Sequence, residues 1–145
     1  LNQFGLQGEY VITDVNRDQN TNGQLDAFYI QGSWYLTGEN RRYFKRKGVV
    51  ARFKPNQNFS WNKKWSKGRE IGALQLAVRY AELDLNDQSA GIAGGEQNSL
   101  TLGINWELNP VSRIMYNYVH ANFTSGTETD SGILDSNIIR FQIDW

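Results

Sequence analysis

Residues 137–145 read Asn-Ile-Ile-Arg-Phe-Gln-Ile-Asp-Trp, and Ile139, Phe141, Ile143 and Trp145 place an apolar side chain at every second position. Arg140, Gln142 and Asp144 fill the places between them. Strict alternation specifies a β-strand with one apolar and one polar face, because successive side chains of a strand point to opposite sides. Such a face has two homes. In a soluble sandwich the apolar side is core. In a membrane barrel it meets lipid, and the polar side lines water.

The other stretches of alternation extend this choice along the chain. Phe4, Leu6, Tyr10 and Ile12 share one parity, followed by a polar loop expected at 14–26. Phe28, Ile30, Trp34 and Leu36 form the apolar face of a second strand, and a long irregular segment spans 38–71. Leu74, Leu76, Val78 and Tyr80 mark a third strand, with a Gly-rich polar loop expected at 86–98. Leu100, Leu102, Ile104, Trp106 and Leu108 mark a fourth, which ends in a tight turn at Asn109-Pro110-Val111, where Pro fixes φ. Ile114, Tyr116 and Tyr118 mark a fifth, a loop is expected at 123–135, and the closing strand follows. The pattern predicts six strands of about 9–11 residues, the length a tilted strand needs to cross a bilayer.

Composition fits this reading. The 145 residues make one domain, and with no cysteine there is neither a disulfide framework nor a thiolate metal site. No apolar run reaches the ~20 residues of a membrane helix, which excludes helical spans but not a barrel. A negative mean hydropathy carries no weight, since barrel strands are only half apolar. The alternation is under way within the first residues, so the chain is expected to be the end part of a longer protein.

Connection lengths and aromatics favour the barrel. A short turn at 109–111 against long loops at 14–26, 86–98 and 123–135 matches short periplasmic turns and long external loops. With the C-terminus on the periplasmic side, segment 38–71 falls there too. Trp34, Trp106 and Trp145 then come near the periplasmic ends, and Tyr10, Phe28 and Tyr80 near the external ends, as two interfacial girdles. Six strands do not close a barrel, for which eight is the usual minimum. The strands are therefore expected to be the C-terminal portion of a larger one.

A final strand ending on an aromatic resembles the C-terminal signature of bacterial outer-membrane barrels. More specific wording lies upstream: Gly32-Ser33-Trp34-Tyr35-Leu36-Thr37-Gly38-Glu39, then Gly72-Ala73-Leu74-Gln75-Leu76-Ala77-Val78-Arg79-Tyr80 with Leu83-Asp84-Leu85, then Gly103-Ile104-Asn105-Trp106 running on to Leu108-Asn109-Pro110. With Arg113, Met115, Asn117 and Tyr118, these stretches resemble the phosphate- and polyphosphate-selective porins O and P, from about Ala27 to the end. The resemblance implies an all-β, sixteen-stranded transmembrane barrel in the bacterial outer membrane, assembled as a homotrimer among membrane lipid and lipopolysaccharide. This chain would supply the last six strands beside the missing N-terminal strands, and the channel would pass phosphate or other small anions. The family's anion site would lie largely in the N-terminal half, so its lysines have no counterpart here. Leu74, Gln75 and Glu107 depart from the family wording, and Glu107 adds a negative charge to the expected lumen.

Charge is distributed unevenly. Arg41, Arg42, Lys45, Arg46, Lys47, Arg52, Lys54, Lys63, Lys64, Lys67 and Arg69 form a basic segment without one acid, while the rest holds four bases and fifteen acids. A positive field concentrates anions, so this segment reads either as an electropositive periplasmic mouth or as a solvated turn. Phe59, Trp61 and Trp65 among its lysines imitate a nucleic-acid patch, a partner not expected of a porin. Parity points Arg79, Arg113 and Arg140 at the pore, either as anion contacts or as partners of Glu9, Glu107 and Asp144. Asp18, Asn20, Asn22 and Asp26 have the spacing of the start of a Ca²⁺ loop, but Tyr29 stands where the closing Glu would be. Weak Ca²⁺ binding is the most this loop is expected to show. His120, the one histidine, lies on the outward parity without a nucleophile beside it, and neither a catalytic constellation nor a cofactor motif is expected. A porin without anion preference, or a secreted soluble β-sandwich that binds a ligand, stay open as alternatives.

Overall fold

The computed structural model describes residues 3–18, 20–40, 43–44, 49–50, 53–61, 70–126 and 130–145. Its strands are β1 (Phe4–Val15), β2 (Gly23–Tyr35), β3 (Tyr43–Phe44), β4 (Val49–Val50), β5 (Ala73–Asp87), β6 (Ile92–Asn109), β7 (Ser112–Thr124) and β8 (Ser131–Ile143). Six of them form one antiparallel sheet in the order β1-β2-β5-β6-β7-β8, each paired with its neighbour in the chain, while β3 and β4 pair only with each other. The sheet is a meander with β1 and β8 as open edges.

The sheet has no closed apolar core. Among the described residues the only buried hydrophobic ones are Tyr35, Ala73, Ala90 and Ala121. Leu102 and Ile104, which a sandwich would enclose, are 47% and 43% exposed. The apolar parity of all six strands lies on one face, because the register pairs like parities: Phe4 with Trp34, Trp34 with Leu76, Leu76 with Ile104, Ile104 with Tyr116, Tyr116 with Ile139.

This apolar band runs obliquely across the ladder. The last apolar residue of one strand repeatedly pairs with the first polar residue of the next: Ile12 with Asp26, Phe28 with Glu82, Leu100 with His120, Tyr118 with Asn137. Only Tyr80 and Leu100 are level. Four such steps of two residues shift the band by about 27 Å along the strands over about 24 Å across them. A level slab therefore requires strands tilted by roughly 48°, close to the tilt of closed membrane barrels. A flat soluble interface would not impose this drift.

The upper edge of the band carries the tyrosines. Tyr10 donates to Asp26 Oδ2 at 3.4 Å, Tyr80 to Glu82 Oε2 at 3.0 Å and Tyr118 to Asp135 Oδ1 at 2.6 Å. Each ring stays in the apolar band while its hydroxyl reaches a carboxylate just above, as an interfacial aromatic should. At the lower edge Phe4 stacks on Trp34 with centroids 5.6 Å apart.

Three expectations change. The strands are 12 to 18 residues long rather than 9–11, and the expected loops 14–26, 86–98 and 123–135 are largely strand. Asp14 pairs with Gln24, Asn86 with Ala93 and Phe123 with Gly132, so the upper connections shrink to residues 16–22, 88–91 and 125–130. These strand ends are polar because they rise above the band, and ladder hydrogen bonds form in water as well as in lipid. The irregular segment also holds the small β3–β4 ladder, and part of it is fastened to the wall. Phe59 N–H donates to Leu108 O at 2.7 Å, its ring meets Trp106 edge-on at 5.2 Å, and Ser60 N–H donates to Glu70 O at 2.9 Å. Gly72, at φ 74°, lets this chain lie against the Glu107 carbonyl, a space any Cβ would fill.

Candidate functional site

The polar face of the sheet carries the candidate residues. One ladder row runs Gln7-Gln31-Arg79-Thr101-Val119-Ser136, a lower one Tyr35-Gln75-Asn105-Met115-Arg140, and the lowest Ala73-Glu107-Arg113-Gln142. Arg79 and Arg140 sit in different rows, yet the oblique band brings them level. Arg79 lies one residue below Tyr80 and Arg140 one residue below Ile139, the residues at which the continuous apolar band ends on β5 and β8. Both guanidinium groups therefore stand at the same height, just under the upper edge of the band.

The three arginines differ in their partners. Arg113 Nη1 lies 3.6 Å from Glu107 Oε1, and its Nε and Nη2 donate to Gln142 Oε1 at 3.2 and 2.9 Å. Gln142 in turn donates to Asp144 Oδ1 at 2.7 Å, so Arg113 belongs to a wall network with two of the three expected acids, Glu107 and Asp144. Arg79 has no hydrogen bond or ion pair among the described residues. Its guanidinium carbon sits over the Tyr29 ring, 3.9 Å from the centroid, and Gln7 Nε2 donates to the Tyr29 hydroxyl at 2.7 Å. Arg140 is exposed and likewise without a protein partner among the described residues. A shallow concavity of about 260 Å³ opens beside Arg79, lined by Glu9, Tyr29, Ala81, Gln97 and Ser99. Permanently charged, forked donors that face water and are not spent on carboxylates are suited to transient contact with oxyanions.

Below the arginines, segment 53–61 closes on the wall. Phe53 stacks on Tyr35 with centroids 4.7 Å apart and planes 6° apart. Glu39, 2% exposed, is met by the Thr37 hydroxyl and by Asn56 N–H at 3.4 Å. Thr37 Oγ1 also accepts from Leu74 N–H at 3.0 Å, tying the segment to β5. Lys54, next to the Phe53 anchor, is exposed. Of the basic segment, Arg41, Arg42, Lys45, Arg46, Lys47, Arg52, Lys63, Lys64, Lys67 and Arg69 lie outside the described residues.

The first upper connection is organised by an arginine. Arg17 donates to Thr21 O through Nε and Nη2 and reaches Ala90 O on the next hairpin. Asn22 Oδ1 accepts from Arg17 N–H at 3.0 Å, and Asp26 stands within β2 opposite Ile12. Asn22 and Asp26, half of the Ca²⁺-loop candidates, are thus engaged elsewhere, and Asp18 and Asn20 remain exposed in the connection. His120 Nδ1 lies 2.8 Å from Asp135 Oδ1 on the apolar face, at its upper edge.

Residue type alone does not mark Tyr29, Gln7 or Phe53. Parity marks Tyr29 as facing the polar side, but its contact with Arg79 depends on the register of β2 against β5.

A family profile described as "Phosphate-selective porin O and P" matches residues 1–145. The chain belongs to that porin family. Porin O of Pseudomonas aeruginosa is 25% identical over 154 aligned positions, covering 98% of this chain and 32% of that protein. An uncharacterised protein of Caulobacter vibrioides is 32% identical over 110 positions, covering 76% of this chain and 20% of that protein. The chain thus spans a third or less of the curated relatives it matches. For a porin O and P member, an open meander with one apolar and one polar face is a section of β-barrel wall.

Proposed function

We propose that this chain is the C-terminal part of the wall of an outer-membrane diffusion channel for small anions, phosphate among them. The apolar face meets lipid and, at its upper edge, lipopolysaccharide. The N-terminal strands of the same barrel close the sheet, and the barrel assembles as a homotrimer. The observation that carries the anion reading is the pair Arg79 and Arg140, level on the polar face and free of carboxylate partners among the described residues. The eleven bases between residues 41 and 69 add a positive field at the periplasmic mouth.

The second reading is a porin without anion preference. Arg113 favours it, because its charge is shared with Glu107 and, through Gln142, Asp144. The test is chloride current through the complete barrel in planar bilayers during phosphate titration. Anion passage predicts saturable inhibition of the chloride current by millimolar phosphate. A current that changes only in proportion to bulk conductivity supports the second reading.

A further inference from the structure

Among the described residues of this wall, Arg113 is paired with an acid and Arg79 is not. Arg113 and Glu107 are direct cross-strand partners with nothing intervening, and they form an ion pair. Arg79 also has an acid within reach. Glu9 pairs with Tyr29, and Tyr29 pairs with Ala81, two residues along β5 from Arg79. Strand spacing and rise put the Cα atoms of Glu9 and Arg79 about 12 Å apart, a gap that extended Arg and Glu side chains together can span. No ion pair joins them among the described residues. Tyr29 stands on β2 between them, with its ring under the Arg79 guanidinium at 3.9 Å and its hydroxyl held by Gln7 at 2.7 Å.

We infer that Tyr29 is a specificity-determining spacer: its ring holds the Arg79 guanidinium away from Glu9 and so keeps that charge available to oxyanions in the pore. The attraction between the guanidinium and the ring face is of the same order as an exposed ion pair. The ring can therefore compete with Glu9, and its bulk occupies the path between them. A stacked guanidinium keeps its in-plane N–H donors free, whereas a carboxylate would consume them as a fork. Tyr29 is thus a positioning residue, and Gln7 orients it.

The inference rests on the proposal that Arg79 contacts anions, and the experiment separates the two. Zero-current potentials in a KCl gradient are measured on the complete barrel for R79Q, Y29F, Y29A and Y29A/E9Q. Arg79→Gln sets the scale of what this charge contributes. Tyr29→Phe keeps the ring and is expected to keep the wild-type anion-to-cation ratio. Tyr29→Ala is expected to lower it as far as R79Q does, and the added Glu9→Gln is expected to restore it. A Y29A barrel with wild-type selectivity beside an impaired R79Q barrel overturns the spacer, as does a Y29A loss that E9Q leaves unrepaired. If R79Q itself has no effect, the anion role of Arg79 falls, and the spacer is then judged by thermal unfolding. A Glu9–Arg79 coupling that appears in double-mutant cycles only after Y29A sustains the spacer, and its absence overturns it.

Discussion

Arg113 and Glu107 face each other directly across the β6–β7 ladder, guanidinium to carboxylate at 3.6 Å, with the Glu107 side chain only 8% exposed. Removing the base takes away the cation that faces a nearly buried carboxylate. Arg113→Met is therefore expected to destabilise the barrel by about 1–3 kcal/mol, read by denaturant unfolding in detergent. Glu107→Gln leaves Arg113 bonded to Gln142 and is expected to raise anion preference.

The Phe53–Tyr35 stack fastens segment 53–61 to the wall. Phe53→Ala removes a half-buried ring from a nearly buried partner, at a cost of about 1–3 kcal/mol, below that of a fully buried Phe. The more specific readout is limited proteolysis, where lysine- and arginine-directed cleavage within 38–71 should accelerate while the six-stranded sheet stays protected. Unchanged cleavage would mean that the segment is held by other contacts.

Asp26, Asp84 and Glu96 are successive cross-strand partners on the outer face, above the tyrosine edge. Like charges placed opposite each other destabilise a sheet by about 0.2–1 kcal/mol per pair. Asp84→Asn relieves both pairings and is expected to raise the thermal unfolding midpoint slightly, more at low salt than at high salt.

Asp87 ties two upper hairpins together above the apolar band. The Ser89 hydroxyl at 2.6 Å and the N–H groups of Gln24 and Ala90 at 2.8 and 3.2 Å hold its carboxyl at about 2, below the ordinary 3.8. A lowered folded-state value favours the ionised, folded form, so the contribution is complete above pH 3.8 and disappears as pH falls through about 2. Amide exchange of the 16–24 and 87–92 segments is expected to be faster in D87N than in wild type at neutral pH. The two should converge below about pH 2. A gap that persists in acid would assign the effect to something other than the carboxylate.

Much of this architecture is legible in the chain itself. The outward placement of Leu102, Ile104 and Trp106 follows from parity alone, since the period of a strand is the same in sequence and in space. Strand ends were not legible: Asp14, Gln24, Asn86 and Ser131 are polar because they stand in water, and polarity alone does not separate a strand above the membrane from a loop. That Arg79, Arg113 and Arg140 share the polar parity is equally visible. The mid-strand positions of Arg79 and Arg140 suggest a shared height near the middle of the wall, but the oblique register across β5 to β8 puts that height just under the upper edge of the band. The Tyr29–Arg79 contact and the Phe53 anchor depend on pairing between residues far apart in the chain, which one sequence does not encode as a local pattern.

The central claim is that wall arginines without a carboxylate partner among the described residues, rather than wall charge in general, confer anion preference. The most direct test is the zero-current potential of the complete barrel in a KCl gradient, for R79Q, R140Q and R113Q. The account predicts anion selectivity in the wild type, a clear loss in R79Q and in R140Q, and little change in R113Q. Equal losses from all three, or no loss from any, would contradict it.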